Sequence, residues 1–290
     1  MDKSALMTMV VPAAGVALGV FLFGYVVKDT FTKVETPPCS GRYPAATEFN
    51  LKSDKSVPLS AVELQARAGA EEWGVLENAK VAAVNDAPSP LILKVRLPAG
   101  STSMYLTNGK KGGLSFRWQP QGMEGAQAAC LRYNVFLPAG FDFGAGGELP
   151  GVYGGKTYQP AVRPDGVNGL ASRLKWQADG LGELSLQAPE ANARGVATSI
   201  GVGSFKLPRE RWVSIEQETV LNLPGKADGA ARLWVDGALK VERDNVRWRE
   251  SEALTLSGVV YDIWYGGLDS LATAPADTYL ALSPATVSWK

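Results

Sequence analysis

Histidine is entirely absent from the 290 residues of the chain. Imidazole is the usual base beside serine and cysteine nucleophiles and a common metal ligand, so its absence excludes Ser-His-Asp and Cys-His catalysis and histidine metal sites. Cysteine is scarce as well, at 2 residues, which excludes a cysteine-ligated zinc cluster. The sequence therefore predicts no metal.

No sign of charge dominates, because 29 Lys and Arg residues balance 29 Asp and Glu residues without a run of like charge. A nucleic-acid-binding protein presents a basic stripe to the phosphates, so this balance argues against nucleic acid as a partner. The glycine-rich segment 143–147 lacks the strand–turn–helix context of a phosphate-binding loop. We expect no nucleotide and no other cofactor.

A long apolar run lies near the amino terminus. Residues 6–27 contain no charge, and as a helix they would span about 33 Å, enough for a hydrocarbon core of about 30 Å. A cleaved signal peptide would have a shorter apolar region followed by a small-x-small site, so we predict an uncleaved transmembrane anchor over residues 1–28. Gly15 and Gly19 form a small-xxx-small pattern and predict other transmembrane subunits as partners.

Residues 29–56 are polar and contain prolines without a sustained hydrophobic period, which predicts a linker with at most one docking segment. The charges that flank the apolar run do not decide its orientation. Cys39 and Cys130 could form a disulfide in an oxidising compartment, and two unpaired buried thiols are an equal alternative. We expect the bulk of the chain on the extracytoplasmic (periplasmic) side of a membrane.

Residues 57–290 have the pattern of a single all-β domain. A short helix is expected over residues 60–72, where Leu64 and Ala68 follow helical spacing. Beyond it, apolar and polar residues alternate, as in segments 131–137, 170–177 and 213–216. Asn-Gly and Asp-Gly dipeptides, which permit positive φ, separate the runs. Many short strands without alternating helices predict an antiparallel β-sandwich or jelly roll.

Six segments share the order and spacing of one known family. They are residues 137–143, 147–155, 168–176, 221–225, 233–237 and 265–267. Over roughly residues 90–290 the chain resembles the polysaccharide lyases of family 14, which are alginate lyases, and the related glucuronan lyases. The resemblance implies a concanavalin-like jelly roll and β-elimination on uronic-acid polymers. That reaction needs a cation for the sugar carboxylate, a base for the C5 proton and an acid for the leaving oxygen.

The chain departs from the family pattern at the reacting groups. The family's lysine before the Leu-Pro-Gly motif is Glu148 here, and its serine two residues before the arginine is Ala171, whereas the arginine is kept as Arg173. The tyrosines of the following strand fall at Ser185 and Gln187. Because a carboxylate in place of a cation repels a uronate, the resemblance implies that catalysis is lost, and we assign no catalytic residue.

Polar side chains that alternate away from the core are candidates for a groove that binds an acidic polysaccharide. They are Arg132, Asn134, Arg173, Lys175, Gln177, Ser185 and Gln187. Adjacent strands could bring them onto one concave face, with Arg173 as a carboxylate clamp, and Tyr265, in a Tyr-Gly-Gly turn, is expected to be exposed. An ordinary solvated sheet face is the alternative. Trp176 and Trp234 are in phase with aliphatic neighbours and are expected to pack in the core.

These features predict a membrane-anchored, extracytoplasmic accessory or structural subunit with a catalytically degenerate lyase-like jelly roll, within a larger membrane complex. Two alternatives stay open. One is an active membrane-tethered alginate or glucuronan lyase, which would use Arg173 for the carboxylate and Lys175 or Tyr133 in other roles. The other is a non-catalytic carbohydrate-binding module.

Overall fold

The architecture is an antiparallel β-sandwich of a nine-stranded and a six-stranded sheet, which confirms the predicted fold class. The computed structural model describes residues 36–69, 71–105, 109–155, 164–189, 197–266 and 272–290. Within these ranges, residues from 38 onward belong to one compact unit.

Seventeen strands and two short helices lie within the described ranges. The strands are β1 (Ala45–Glu48), β2 (Ala79–Ala83), β3 (Leu91–Leu97), β4 (Ser101–Thr102), β5 (Lys110–Lys111), β6 (Leu114–Trp118), β7 (Ala128–Phe136), β8 (Gly147–Gly155), β9 (Gly169–Trp176), β10 (Gly182–Gln187), β11 (Thr198–Ile200), β12 (Trp212–Val220), β13 (Gly229–Val235), β14 (Ala238–Val246), β15 (Leu256–Tyr265), β16 (Thr278–Leu282) and β17 (Thr286–Trp289). The helices are α1 (Ala61–Ala68) and α2 (Val75–Asn78), and a 3₁₀ turn covers Ala178–Gly180.

Strand order sets which residues can meet. The nine-stranded sheet runs β14-β13-β12-β7-β16-β3-β2, and β17 also pairs with β7 and carries β1 along its other edge. The six-stranded sheet runs β11-β10-β9-β8-β15-β6, while β4 and β5 form a small parallel pair. Each large sheet turns one face to the shared core, so the sandwich has two outer faces on opposite sides.

The core is filled by the apolar phase of each strand. On β9 the core-facing residues are Leu170, Leu174 and Trp176, as the alternation predicts. Trp234 is also fully buried, but it belongs to a separate cluster with the Cys39–Cys130 disulfide. Trp176 thus packs in the core as expected, whereas the expectation for Trp234 is wrong, because it lies on the opposite face of its strand from the core residues Leu233 and Val235.

Helix α1 confirms the helical spacing of Leu64 and Ala68, both of which are buried. It begins at a capping box, in which the Ser60 hydroxyl accepts from the Glu63 N–H and the Glu63 carboxylate accepts from the Ser60 N–H. It ends at Gly69, whose φ of 90° is not helical, so the helix is shorter than the expected 60–72.

Residues 38–56 do not form the predicted linker. Strand β1 pairs with β17, Phe49 and Leu51 are buried in the core, and Cys39 is bonded to Cys130. The strand has only four residues, too few for an alternating pattern to stand out in the sequence. The predicted anchor, with Gly15 and Gly19, lies outside the described residues. Among the described helices, none has the length and apolar character that crossing a membrane requires.

Candidate functional site

The outer face of the six-stranded sheet carries a group of polar side chains from β8, β9, β10 and β15. Glu148 on β8 pairs with Lys175 on β9 and with Trp264 on β15, while Arg173 on β9 pairs with Ser185 on β10. Residues that are directly paired on neighbouring strands point to the same face. The register therefore brings Arg173, Lys175, Glu148 and Ser185 together, as the sequence analysis expected of Arg173 and Lys175.

Arg173 is held by acidic and amide groups of the protein itself. Its guanidinium Nη2 lies 2.7 Å from Asp262 Oδ2, and its Nε lies 3.9 Å from Glu148 Oε2. Its Nη1 donates to Gln187 Oε1 at 3.0 Å. Only 4% of the Arg173 side chain is exposed. The side chain expected to act as a carboxylate clamp is thus buried and already paired with carboxylates.

Asp262, on β15, is the residue of this site that sequence reasoning missed. It is fully buried and accepts a hydrogen bond from Ser115 Oγ on β6 at 2.7 Å. The signal in the sequence is a lone carboxylate in the otherwise uncharged segment Leu256–Tyr265. A charge within a buried strand is costly unless it is paired, so such a residue points to a cationic partner elsewhere in the chain.

Glu148 completes a cluster of two cations and two carboxylates, which we call the Arg173 cluster: Arg173, Lys175, Glu148 and Asp262. Lys175 Nζ lies 3.7 Å from Glu148 Oε1. Burial raises the pKa of Glu148, and the charge of Asp262 raises it further, whereas Lys175 and Arg173 oppose the rise. The cluster is electrically neutral when both carboxyls are ionised.

Two tyrosines lie near the Arg173 cluster. The Tyr105 ring meets the Trp264 ring edge-on at 5.5 Å, and burial raises the Tyr105 pKa to about 12, with the Asp262 charge adding to the rise. Tyr153 packs with Ala171 and Val260, and burial raises its pKa as well. Both phenols therefore stay protonated near neutral pH, so neither is a ready base.

Gln177 lies beside a second buried carboxylate on the same sheet. Glu183 on β10 accepts from Gln177 Nε2 at 2.9 Å and from Ser199 Oγ at 2.8 Å. These bonds link β9, β10 and β11 at the edge of the sheet. Gln177 is thus engaged in a structural hydrogen bond.

The structure does not bring the predicted groove residues onto one face. Arg132 and Asn134 lie on β7, on the outer face of the nine-stranded sheet, on the other side of the sandwich from Arg173. Alternation shows that a side chain points away from the core, but each of the two sheets has its own outer face. Arg132 and Asn134 instead line a cavity of about 190 Å³ with Ser283 and Thr286.

Tyr265 is not exposed, so that expectation is wrong. It is in phase with the core-facing Ile263 of β15 and is 1% exposed. Its ring stacks on Phe141 at 5.7 Å and meets Trp176 edge-on at 5.6 Å, and its hydroxyl donates to the carbonyl oxygen of Asp142. Tyr265 extends the core and does not line a groove.

One grouping of potential metal ligands occurs among the described residues, formed by Cys39, Cys130 and Glu216. The two sulfurs are bonded to each other, so neither is a thiolate that could bind a metal. Glu216 instead accepts hydrogen bonds from the backbone N–H and the hydroxyl of Ser40.

Residues 85–283 match the family Polysaccharide lyase 14. The chain belongs to the polysaccharide lyase 14 family. No curated protein sequence matches it.

Solved structures agree with the family at the level of the fold. The alginate lyase of the marine Aplysia kurodai is 24% identical with a TM-score of 0.68, over 86% of this chain and 99% of that one. The alginate lyase vAL-1 from Chlorella virus is 21% identical with a TM-score of 0.62, over 73% and 90% of the two chains. The endo-β-1,4-glucuronan lyase of the fungus Trichoderma reesei is 8% identical with a TM-score of 0.50, over 89% and 95%. These lyases share the jelly roll with this family member.

Proposed function

We propose that this member of the polysaccharide lyase 14 family has lost β-elimination and serves as a membrane-held, extracytoplasmic accessory subunit of a larger complex. The observation that carries the proposal is the state of Arg173. Its guanidinium lies 2.7 Å from Asp262 and 3.9 Å from Glu148, within a buried cluster.

β-Elimination on a uronate starts by neutralising the sugar carboxylate, which requires a site of net positive charge. In the Arg173 cluster the charges of Arg173 and Lys175 are balanced by those of Glu148 and Asp262. A uronate would add a third carboxylate to a buried region, leaving one negative charge without a partner. An unpaired buried charge costs several kcal/mol, on the order of 3–5 when a buried pair loses one partner.

The site also lacks the side chains that the family pattern would use as the base for the C5 proton and as the acid for the leaving oxygen. The resemblance places the family's tyrosines at Ser185 and Gln187, and Gln187 accepts a hydrogen bond from Arg173. An amide cannot remove the C5 proton, and the methyl group of Ala171 contributes nothing to proton transfer. The amine of Lys175 lies 3.7 Å from Glu148 and is engaged in an ion pair with it.

The proposed location rests on two features at the start of the chain. Residues 6–27 form an apolar run of membrane-spanning length, with Gly15 and Gly19 in a helix-packing pattern. The Cys39–Cys130 disulfide follows soon after, and disulfides persist mainly in oxidising compartments. Both features support a domain held on the extracytoplasmic side, beside other transmembrane subunits.

An active alginate or glucuronan lyase is the second candidate, and the raised pKa of Glu148 favours it. With Glu148 protonated, Arg173 and Lys175 would outnumber Asp262, and a uronate carboxylate could bind. Tyr105, protonated near neutral pH, could then donate a proton to the leaving oxygen. Such an enzyme would work below the raised pKa of Glu148, so its activity should fall as pH rises through that pKa.

The deciding experiment incubates the full chain, in mild detergent, with polymannuronate, polyguluronate and glucuronan from acidic to alkaline pH. Ultraviolet absorbance records the double bond of an unsaturated uronate. We expect no product at any pH from folded protein. Product that disappears in an Arg173→Ala variant of equal purity would establish the lyase, whereas product unaffected by that variant would come from a contaminating enzyme.

The accessory role is tested by co-purification from gently solubilised membranes. We expect other membrane proteins to copurify with the full chain, and fewer with a Gly15→Ile/Gly19→Ile variant, because bulky side chains keep helices apart. A Val16→Ile/Val20→Ile variant is the matched control. Recovery of this chain alone, with the apolar run of residues 6–27 intact, would count against the complex.

A further inference from the structure

A lateral row of side chains crosses the outer face of the nine-stranded sheet, opposite the Arg173 cluster. The strand register joins Lys80 to Lys94, Lys94 to Ala281, Ala281 to Phe136, and Phe136 to Trp212. The five residues are out of phase with the core-facing residues of their strands, so all lie on the outer face. At about 4.8 Å between strands, the row is about 19 Å long.

One end of this row carries two lysines on neighbouring strands. Lys80 and Lys94 are directly opposite each other, and like charges in that position are destabilising. Within the described part of the chain, no carboxylate forms an ion pair with either ammonium group. Lys94 Nζ lies 3.4 Å from the centre of the Tyr279 ring, a contact that orients the ammonium group but leaves its charge. The arrangement costs stability unless an anion binds there.

The basic end lies in a concavity of about 430 Å³. Its charged and aromatic lining consists of Lys80, Lys94, Arg96 and Tyr279 together with the carboxylates of Glu77 and Asp277, so three cations outnumber two anions. Arg96 is 3.8 Å from Asp277, and the two side chains are 61% and 68% exposed, so this ion pair is weak and Arg96 can turn to a ligand. Three cations around one aromatic ring can accommodate a carboxylate attached to a sugar ring.

The other end of the row is aromatic. The rings of Phe136 and Trp212 lie 5.4 Å apart with an angle of 45° between their planes, and both residues are only half-buried. Partly exposed rings offer apolar faces on which the C–H face of a sugar can pack. Ala281, which lies between the basic and the aromatic ends, is buried and has no side chain that projects between them.

We propose that this row is a binding site for an anionic polysaccharide, which lies across the strands with carboxylates at Lys80 and Lys94 and a sugar ring on Phe136 and Trp212. The concavity at Lys80 and Lys94, together with the partly exposed rings of Phe136 and Trp212, suits a saccharide chain better than a flat lipid surface does. The site is independent of the Arg173 cluster, because the two lie on opposite outer faces of the sandwich. It therefore binds the polymer whether or not the chain is a lyase.

The test is calorimetric titration of the full chain in uncharged detergent with a mannuronate oligosaccharide long enough to span the row. We expect binding that weakens with salt, and no binding of a neutral cello-oligosaccharide of equal length. Lys80→Gln/Lys94→Gln should raise Kd about ten- to a hundredfold, since two charge-assisted contacts are lost. Thermal unfolding of this variant should show no loss of stability, because the repulsion between the lysines is removed.

A Lys55→Gln/Lys226→Gln variant removes the same charge from two exposed loop positions and should bind as the unsubstituted chain does. Trp212→Ala should weaken binding by up to about tenfold. Equal affinity of the Lys80→Gln/Lys94→Gln variant would overturn the proposal, as would the absence of any binding. Lysine-dependent binding to phosphatidylglycerol vesicles, with none to the oligosaccharide, would also overturn it and assign the row to a lipid surface.

Discussion

Asp262→Asn removes the carboxylate nearest to Arg173 while keeping the size of the side chain and an acceptor for Ser115. At an effective dielectric constant of about 20, a charge pair attracts by about 6 kcal/mol at the 2.7 Å of Arg173–Asp262 and by about 4 kcal/mol at the 3.9 Å of Arg173–Glu148. Loss of one partner of a buried pair costs about 3–5 kcal/mol in measured cases. Because Glu148 still neutralises part of the Arg173 charge, we expect a loss of unfolding free energy at the lower end of this range, about 3 kcal/mol.

The assay is reversible unfolding of the domain followed by circular dichroism. A loss of about 3 kcal/mol corresponds to a fall in Tm of about 6–12 °C for a domain of this size. Asp236→Asn is the matched control, since Arg211 contacts Asp236 at 2.8 Å but the two side chains are 54% and 40% exposed. An exposed ion pair contributes about 0–1 kcal/mol, so the control should change Tm little.

A second variant separates charge from packing. Arg173→Met/Asp262→Asn removes both charges of the pair and should be no less stable than Asp262→Asn alone, because no guanidinium is left buried without its nearest partner. The reasoning is refuted if Asp262→Asn costs no more than Asp236→Asn. Arg173 would then be hydrated and accessible to a substrate carboxylate.

Two further predictions concern Glu148 and the disulfide. Burial raises the folded-state pKa of Glu148 above its ordinary value of 4.5, so its contribution to stability is largest below pH 4.5 and is lost as pH rises through the folded pKa. In urea titrations the stability of Glu148→Gln relative to the unsubstituted protein should therefore increase as pH rises from 4.5 through the folded pKa. A difference in stability that does not depend on pH would contradict the raised pKa. Cys39→Ser/Cys130→Ser opens a loop with a sequence separation of 91 and should lower the free energy of unfolding by about 4–5 kcal/mol in the chain-entropy estimate. A reductant should lower the unfolding midpoint of the unsubstituted protein but not that of this variant, and no change in either would contradict a structural role for the bond.

Local periodicity predicted the elements that depend on neighbouring residues. The strands around Leu131 and Leu174 and the helix with Leu64 and Ala68 follow from spacings of two and of three to four residues, which the sequence displays directly. The burial of Trp176 follows from the same phase argument. Family motifs located Arg173 within this frame.

The remaining features of the fold and of the site depend on pairing between segments that are distant in sequence, and local periodicity carries no information about such pairing. The partner of Arg173, Asp262, comes from a strand far along the chain, and β1 is placed by its pairing with β17 and by the bond from Cys39. Arg132 and Arg173 both point away from the core, yet only the strand order shows that they lie on different sheets. The position of Arg173 was thus predictable, and its neutralisation was not.

The central claim is that the jelly roll of this chain no longer cleaves uronic-acid polymers because its arginine is neutralised from within. The most direct test is the ultraviolet assay for unsaturated uronate with the folded full chain on polymannuronate, polyguluronate and glucuronan across pH. We expect a flat absorbance trace at every pH. A rising trace that Arg173→Ala abolishes would contradict it and would show that a substrate carboxylate displaces Asp262 or Glu148 from the guanidinium.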